Sequence, residues 1–223
     1  MAPPFVPSSE FLFDLLRGLS ALSGNRIIAD LARVVADAPR EDLSVAFNHK
    51  QIASKAWLRD QLYETLGGEH EHIWVLGGWY GVLSAMLLDD RRFTIGRITT
   101  IDLDPACQPV AKLLNRRALA EGRFAALSAD MNALDYGSAG TDAPSLIVNT
   151  SCEHLPDVPR WLARLAPGQR VALQSNDYFA VPEHLSSVPD LEAFVAQAGL
   201  AQVAFKGALP SKNYTRFMLI GAR

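Results

Sequence analysis

Cysteine is scarce. Cys107 and Cys152 are the only two in 223 residues, too few for a disulfide framework and in keeping with a reducing, cytoplasmic setting. No apolar run approaches the roughly 18 residues that suggest a membrane span, so no membrane partner is expected. The first ten residues, MAPPFVPSSE, hold no basic segment followed by an apolar one, and no secretory leader is expected there. Basic charge is neither abundant nor gathered. Against 24 Asp and Glu there are 21 Lys and Arg, a net charge of −3, and the densest basic groups are the pairs Arg91–Arg92 and Arg116–Arg117. Nothing forms the basic stripe of a protein that tracks phosphates, so nucleic acid is not the expected partner. Compact metal-ligand spacing is missing too. His154, His184, Glu153 and Glu183 are conceivable ligands, but their spacing marks no site, and no metal is expected.

What is present suits one globular domain with a sizeable core: 49% of residues are hydrophobic and 20% charged. Residues 8 to about 67 read as helical. Ser8 or Ser9 caps a first helix whose Phe11, Leu15, Leu16, Leu19 and Leu22 follow helical spacing, and Ser23-Gly24-Asn25 breaks it. A second helix over 27–36 stops at Ala38-Pro39, and a third over 51–66 ends at Gly67-Gly68. Asn48, His49, Lys50, Ser54, Lys55 and Trp57 read mostly as a solvated face of that third helix, with a lid over a bound ligand as the alternative.

From residue 73 the pattern changes to strands, 73–76, 97–102, 124–128, 145–149 and 169–175, alternating with helical runs near 81–89, 105–120, 157–165 and 188–199. Such alternation implies a largely parallel sheet covered on both faces. The runs 201–205 and 216–220 have only a loop with Gly207, Pro210 and Asn213 between them, and so predict an antiparallel hairpin on the sheet edge. The most telling stretch is HIWVLGGWYG, residues 72–81, read with ITTIDLDP, residues 98–105. A first strand runs into Gly77, Gly78 and Gly81, a helix follows, and the next strand ends at Asp102. This is the order of a nucleotide-binding α/β unit. Glycines let backbone approach a ligand, and an acid at the second strand's end can accept from both ribose hydroxyls. Asp104 before Pro105 reads instead as the cap of the following helix.

Seven strands with the last pair antiparallel, glycines after the first and an acid ending the second resemble the class I S-adenosylmethionine-dependent methyltransferases, over about residues 70–223. That family's first loop reads acid-x-Gly-x-Gly-x-Gly. Here Gly77 and Gly81 match, Trp79 stands at the middle glycine and Val75 at the acid. The resemblance implies a Rossmann-like, mostly parallel α/β sheet flanked by helices, with a cofactor-binding domain at 71–223 and a helical extension, lid or dimer interface, at 1–70. It implies S-adenosylmethionine as cofactor, held by Gly77, Gly78, Trp79, Tyr80 and Gly81, by Asp102 and Leu103 at the ribose, by Asp130 and Met131 at the adenine, and by Asn149.

The segment 149–155, NTSCEHL, falls at the fourth strand's end, near the transferable methyl. Histidine titrates near neutrality, so His154 can take a proton from a methyl acceptor; Glu153 is the other candidate base, and the sequence leaves the choice open. Ser151, Asn176 and Tyr178, at the same sheet edge, are expected to bind a small polar substrate. A homodimer is compatible with all of this. Two rivals remain. A nicotinamide-dependent oxidoreductase would need glycine where Leu76 stands, and a non-catalytic scaffold of the same fold would suit Val75 and Trp79.

Overall fold

The computed structural model describes residues 6–38, 40–136 and 143–223. One sheet contains β1 (Glu69–Leu76), β2 (Thr94–Asp102), β3 (Phe124–Ser128), β4 (Leu146–Asn149), β5 (Arg170–Asn176), β6 (Gln202–Pro210) and β7 (Thr215–Ala222), in the order β3-β2-β1-β4-β5-β7-β6. The first five strands are parallel. β7 runs antiparallel to both β5 and β6, as the edge hairpin required. β4 is buried along its whole length and β5 nearly so, which suits the apolar runs Leu146–Val148 and Val171–Leu173.

Helix α5 (Val82–Asp89) joins β1 to β2, α6 (Cys107–Leu114) and α7 (Arg116–Ala120) join β2 to β3, α8 (Val158–Leu162) joins β4 to β5, and α9 (Leu191–Ala198) precedes β6. The expected single helix over 105–120 is divided at Asn115, whose side-chain amide donates to the carbonyls of Ala111 (2.9 Å) and Gly81 (3.1 Å). Asp104 is not the cap of α6 either. Its carboxylate accepts from the Ala106 N–H at 2.9 Å, closing a turn just ahead of the helix. β1 starts at Glu69, four residues before the apolar run. Its alternating Glu-His-Glu-His points His70 and His72 inward and both glutamates out, and the His72 ring meets the Thr99 hydroxyl at 2.8 Å.

The N-terminal part holds α1 (Ser9–Ser23), α2 (Arg26–Asp37), the short α3 (Leu43–Ala46) and α4 (His49–Leu66). Ser8, Asn25 and Asn48 cap α1, α2 and α4 through their side-chain oxygens. Pro39, read as the stop of α2, lies outside the described residues. α2 is pinned to the α/β body by Asp30, which pairs with Arg116 at 2.7 Å and Arg117 at 3.6 Å. One of the two basic pairs is thus engaged within the protein. α4 goes further: Leu58 and Leu62 are fully buried in the same core as Ile73, Val75, Leu146 and Met218. The last helix of the extension is therefore a structural layer of the sheet domain.

Candidate active site

β1 sends its chain to β2 on one side, and β4 pairs with it on the other. A crevice opens above the carboxyl ends of strands at such a switch point. It contains a cavity of about 470 Å³, within the range of small-molecule sites. Gly77, Gly78, Trp79, Asp102 and Leu103 line one end, with Asp130 and Met131 beside them. Glu153 and His154 line the other, and Ser151 lies between, against Gly77.

The glycine loop is shaped by its protein neighbours. A Cβ on Gly77 would lie 2.3 Å from Ser151 Oγ, and one on Gly78 would lie 2.8 Å from Thr100 Oγ1. Gly77 also has φ of 60°, where side chains are disfavoured. Trp79 adopts φ of 47° without being glycine, at a cost of about 1–2 kcal/mol. Two contacts hold it there: its N–H donates to Asp102 Oδ2 at 2.8 Å, and its ring stacks on Tyr80 at 5.0 Å. Asp102 Oδ1 accepts from the Asp104 N–H at 3.1 Å. Each carboxylate oxygen thus takes one backbone N–H and keeps acceptor capacity for a ligand. Asp130 Oδ1 is engaged by the backbone and side-chain nitrogens of Asn132, at 2.8 and 3.0 Å.

At the opposite end Glu153 is only 3% exposed. Its Oε1 accepts from Asn176 Nδ2 at 2.6 Å and pairs with Arg216 at 2.8 Å, while its Oε2 is buried without a hydrogen-bond partner. Burial works against the Arg216 charge, but the Glu153 carboxylate raises its pKa above the ordinary value. His154 is exposed, and its Nδ1 lies 3.2 Å from the Glu183 carbonyl. His184 Nδ1 lies 2.7 Å from the Tyr178 carbonyl. Burial pushes the Cys152 thiol well above its usual range and the Cys107 thiol up to about 12, so neither is a ready nucleophile.

Five expected site residues do not line the cavity. The Tyr80 hydroxyl donates to Asp42 at 2.6 Å under the N-terminal helices, and Gly81 backs onto Asn115. Asn149 is fully buried and accepts the Ser151 N–H at 2.9 Å, which fixes the loop. Asn176 spends its amide on Glu153 and its Oδ1 on the Tyr178 N–H. The Tyr178 ring sits beside His184 and Tyr214. These residues shape the site from behind.

Further residues line the cavity, of which Gln51 and Arg216 escaped the sequence reading. Gln51, Ser54 and Lys55 face the cavity from α4, with Gln174 from β5 and Arg216 from β7. Ser54 is 6% exposed, which corrects its reading as part of a solvated face. The Lys55 ammonium donates to Gln51 Oε1 at 2.7 Å; burial, then the nearby Arg216 charge, lower its pKa to about 8. The i, i+3, i+4 spacing of Gln51, Ser54 and Lys55 was the available signal for a shared helix face.

No family model and no curated protein matches the sequence. Solved structures do match in fold. The N-methyltransferase NodS from Bradyrhizobium japonicum WM9, in complex with S-adenosyl-L-homocysteine, superposes with a TM-score of 0.60 at 14% identity, covering 87% of this chain and 98% of that one. An O-methyltransferase family protein from Burkholderia thailandensis gives 0.56 at 18% identity, over 95% of this chain and 71% of that one. A geranyl diphosphate methyltransferase, in complex with its diphosphate and sinefungin, gives 0.57 at 14%, over 89% and 82%. With the sheet order, the lone antiparallel β7 and the cavity at the switch point, these likenesses give one result: the chain has the fold of the class I S-adenosylmethionine-dependent methyltransferases.

Proposed function

We propose that this protein transfers the methyl group of S-adenosylmethionine to a hydroxyl, carboxyl or nitrogen of a small polar molecule. The observation that carries the reading is Asp102. It ends β2 beside the glycine loop, lines the cavity, and has each oxygen only partly used by backbone N–H groups. That donor-hungry carboxylate suits a pair of ribose hydroxyls. Asp130 and Met131, on the adjoining wall, suit an adenine amino group and ring face. Bound there, the cofactor would supply an electrophilic methyl on its sulfonium.

The chain's own contribution is then to place the acceptor and handle its proton. Positioning is the larger effect, because it replaces an encounter in solution with a fixed geometry. Gln51, Lys55, Gln174 and Arg216 offer donors at the acceptor end. Two cations there, Lys55 and Arg216, face one carboxylate, Glu153, a balance that suits an acceptor carrying negative charge. Of the two candidate bases, Glu153 has one oxygen held by Arg216 and Asn176 and the other shut from solvent. His154 is the better base. A carbonyl can only accept, so the contact with Glu183 puts the ring proton on Nδ1 and leaves the Nε2 lone pair to receive one.

The test is transfer of a labelled methyl from S-adenosylmethionine to a panel of hydroxy acids, carboxylates and amines. The expected result is a labelled small molecule, made about 10²–10⁴-fold more slowly by His154→Ala with S-adenosylhomocysteine affinity retained. Equal rates for His154→Ala would remove the base from His154, and no transfer to any acceptor class would favour a scaffold of the same fold. A cytoplasmic setting fits two free, buried thiols. No described helix is long and apolar enough to cross a membrane.

A further inference from the structure

The acceptor end of the cavity holds a cluster that methyl transfer alone does not require. One ligand atom from each of Glu153, His154 and His184 lies within 4.8 Å of the other two. The two imidazoles meet edge to face, with centroids 4.7 Å apart and planes at 87°. They come from different segments. His154 follows β4 and His184 follows β5, and the pairing of those two strands brings their loops together.

We propose that Glu153, His154 and His184 bind one divalent transition-metal ion, zinc or a metal of similar preference, at the acceptor end of the cavity. Three features of the cluster argue for it independently. First, both imidazoles are in the tautomer a metal needs. His154 Nδ1 meets the Glu183 carbonyl and His184 Nδ1 meets the Tyr178 carbonyl. Carbonyl acceptors place the proton on Nδ1 in each ring and leave Nε2 as the ligand atom, the usual support of a metal-bound histidine. Secondly, Glu153 is divided between two tasks. Asn176 and Arg216 anchor Oε1, while Oε2 is buried and has no hydrogen-bond partner. A buried carboxylate oxygen left without a donor is unfavourable unless a cation meets it, and a ligating carboxylate is itself held by hydrogen bonds in this way. Thirdly, two imidazoles and one carboxylate form a three-ligand set that suits zinc and its neighbours and leaves coordination positions open. Glu153 and His154 line the cavity, so an acceptor could reach those positions.

The site's existence does not rest on the methyl-transfer reading, but its consequence does. With the ion bound, His154 Nε2 is a ligand rather than a base. An acceptor oxygen on the ion would release its proton to solvent water, because the ion lowers its pKa. Arg216 sits on the far oxygen of Glu153, and Lys55 also faces the cavity, so the open position favours an anionic acceptor atom.

The experiment is calorimetric titration of the full, untagged, chelator-stripped chain with Zn²⁺, repeated with Co²⁺ followed by visible absorption. The inference predicts one ion per chain with micromolar or tighter affinity, and a strong cobalt band of low coordination number. His184→Ala should weaken binding by more than about 100-fold, beyond the loss that an outer-shell change brings. His184 does not line the cavity, so this variant should bind S-adenosylhomocysteine as the parent does. That readout separates failure of the metal site from failure of the cofactor reading. No zinc binding by the parent, or equal binding by His184→Ala, would overturn the proposal. Glu153→Gln is the second variant. Because it can disturb the Arg216 pair, its melting temperature without metal is measured alongside, and loss of zinc with an unchanged melting temperature supports ligation.

Discussion

Asp102 and Lys55 show how single residues here combine a structural role with the binding role proposed for them. Asp102 fixes the backbone of Trp79 and Asp104 and presents its remaining lone pairs to the cavity. Asp102→Ala should weaken S-adenosylhomocysteine by at least about 1.5 kcal/mol, the value of a hydrogen bond to a charged group; titration of the purified variant measures it, and unchanged affinity would refute the ribose role. Lys55 is costly to the fold. Its folded pKa of about 8 lies below the ordinary 10.5, so the unfolded chain binds more protons between those values. Stability therefore rises with pH across that window as the buried charge is relieved. Lys55→Met should melt higher than the parent at pH 7, and the gap should narrow as pH rises from 8 towards 10. A constant gap would mean that the ammonium is not what costs stability. The same substitution should lower activity if the acceptor is anionic.

At the scale of elements, α4 decides how the N-terminal part is regarded. A lid would come away with little loss, whereas α4 carries Leu58 and Leu62 into the central core. Leu58→Ala should cost about 2–5 kcal/mol in urea unfolding; a loss under about 1 kcal/mol would restore the lid. The strand and helix alternation, the glycine turn and the edge hairpin were legible because buried parallel strands form apolar runs and glycines mark forced turns. What was hidden follows from the same physics. The start of β1 is disguised because it buries two histidines, His70 and His72, between exposed glutamates. Arg216 is one basic residue at the start of an apolar strand, and nothing local says that it faces Glu153 63 residues away. Ser54 and Lys55 share a helix face with Gln51, but all three are polar, so their spacing does not by itself tell a cavity wall from a solvated face. Tyr80 and Asn149 fall in segments that reach the cavity but do not line it themselves, a distinction that spacing does not carry.

For the whole molecule, the sheet places the two ends of the cavity on opposite sides of the β1–β4 switch. The acidic end, with Asp102 and Asp130, sits above β2 and β3. The end with Glu153, His154 and Arg216 sits above β4, β5 and β7, and α4 walls it. A cofactor and an acceptor would thus be held by different halves of one sheet and meet between them. The acidic half is proposed to recognise an adenosyl compound. The most direct test is parallel calorimetric titration of the full chain with S-adenosylmethionine, S-adenosylhomocysteine and NAD. One-to-one micromolar binding of both adenosyl compounds, and none of NAD, is expected. Binding of NAD alone, or of none of the three, would contradict that role.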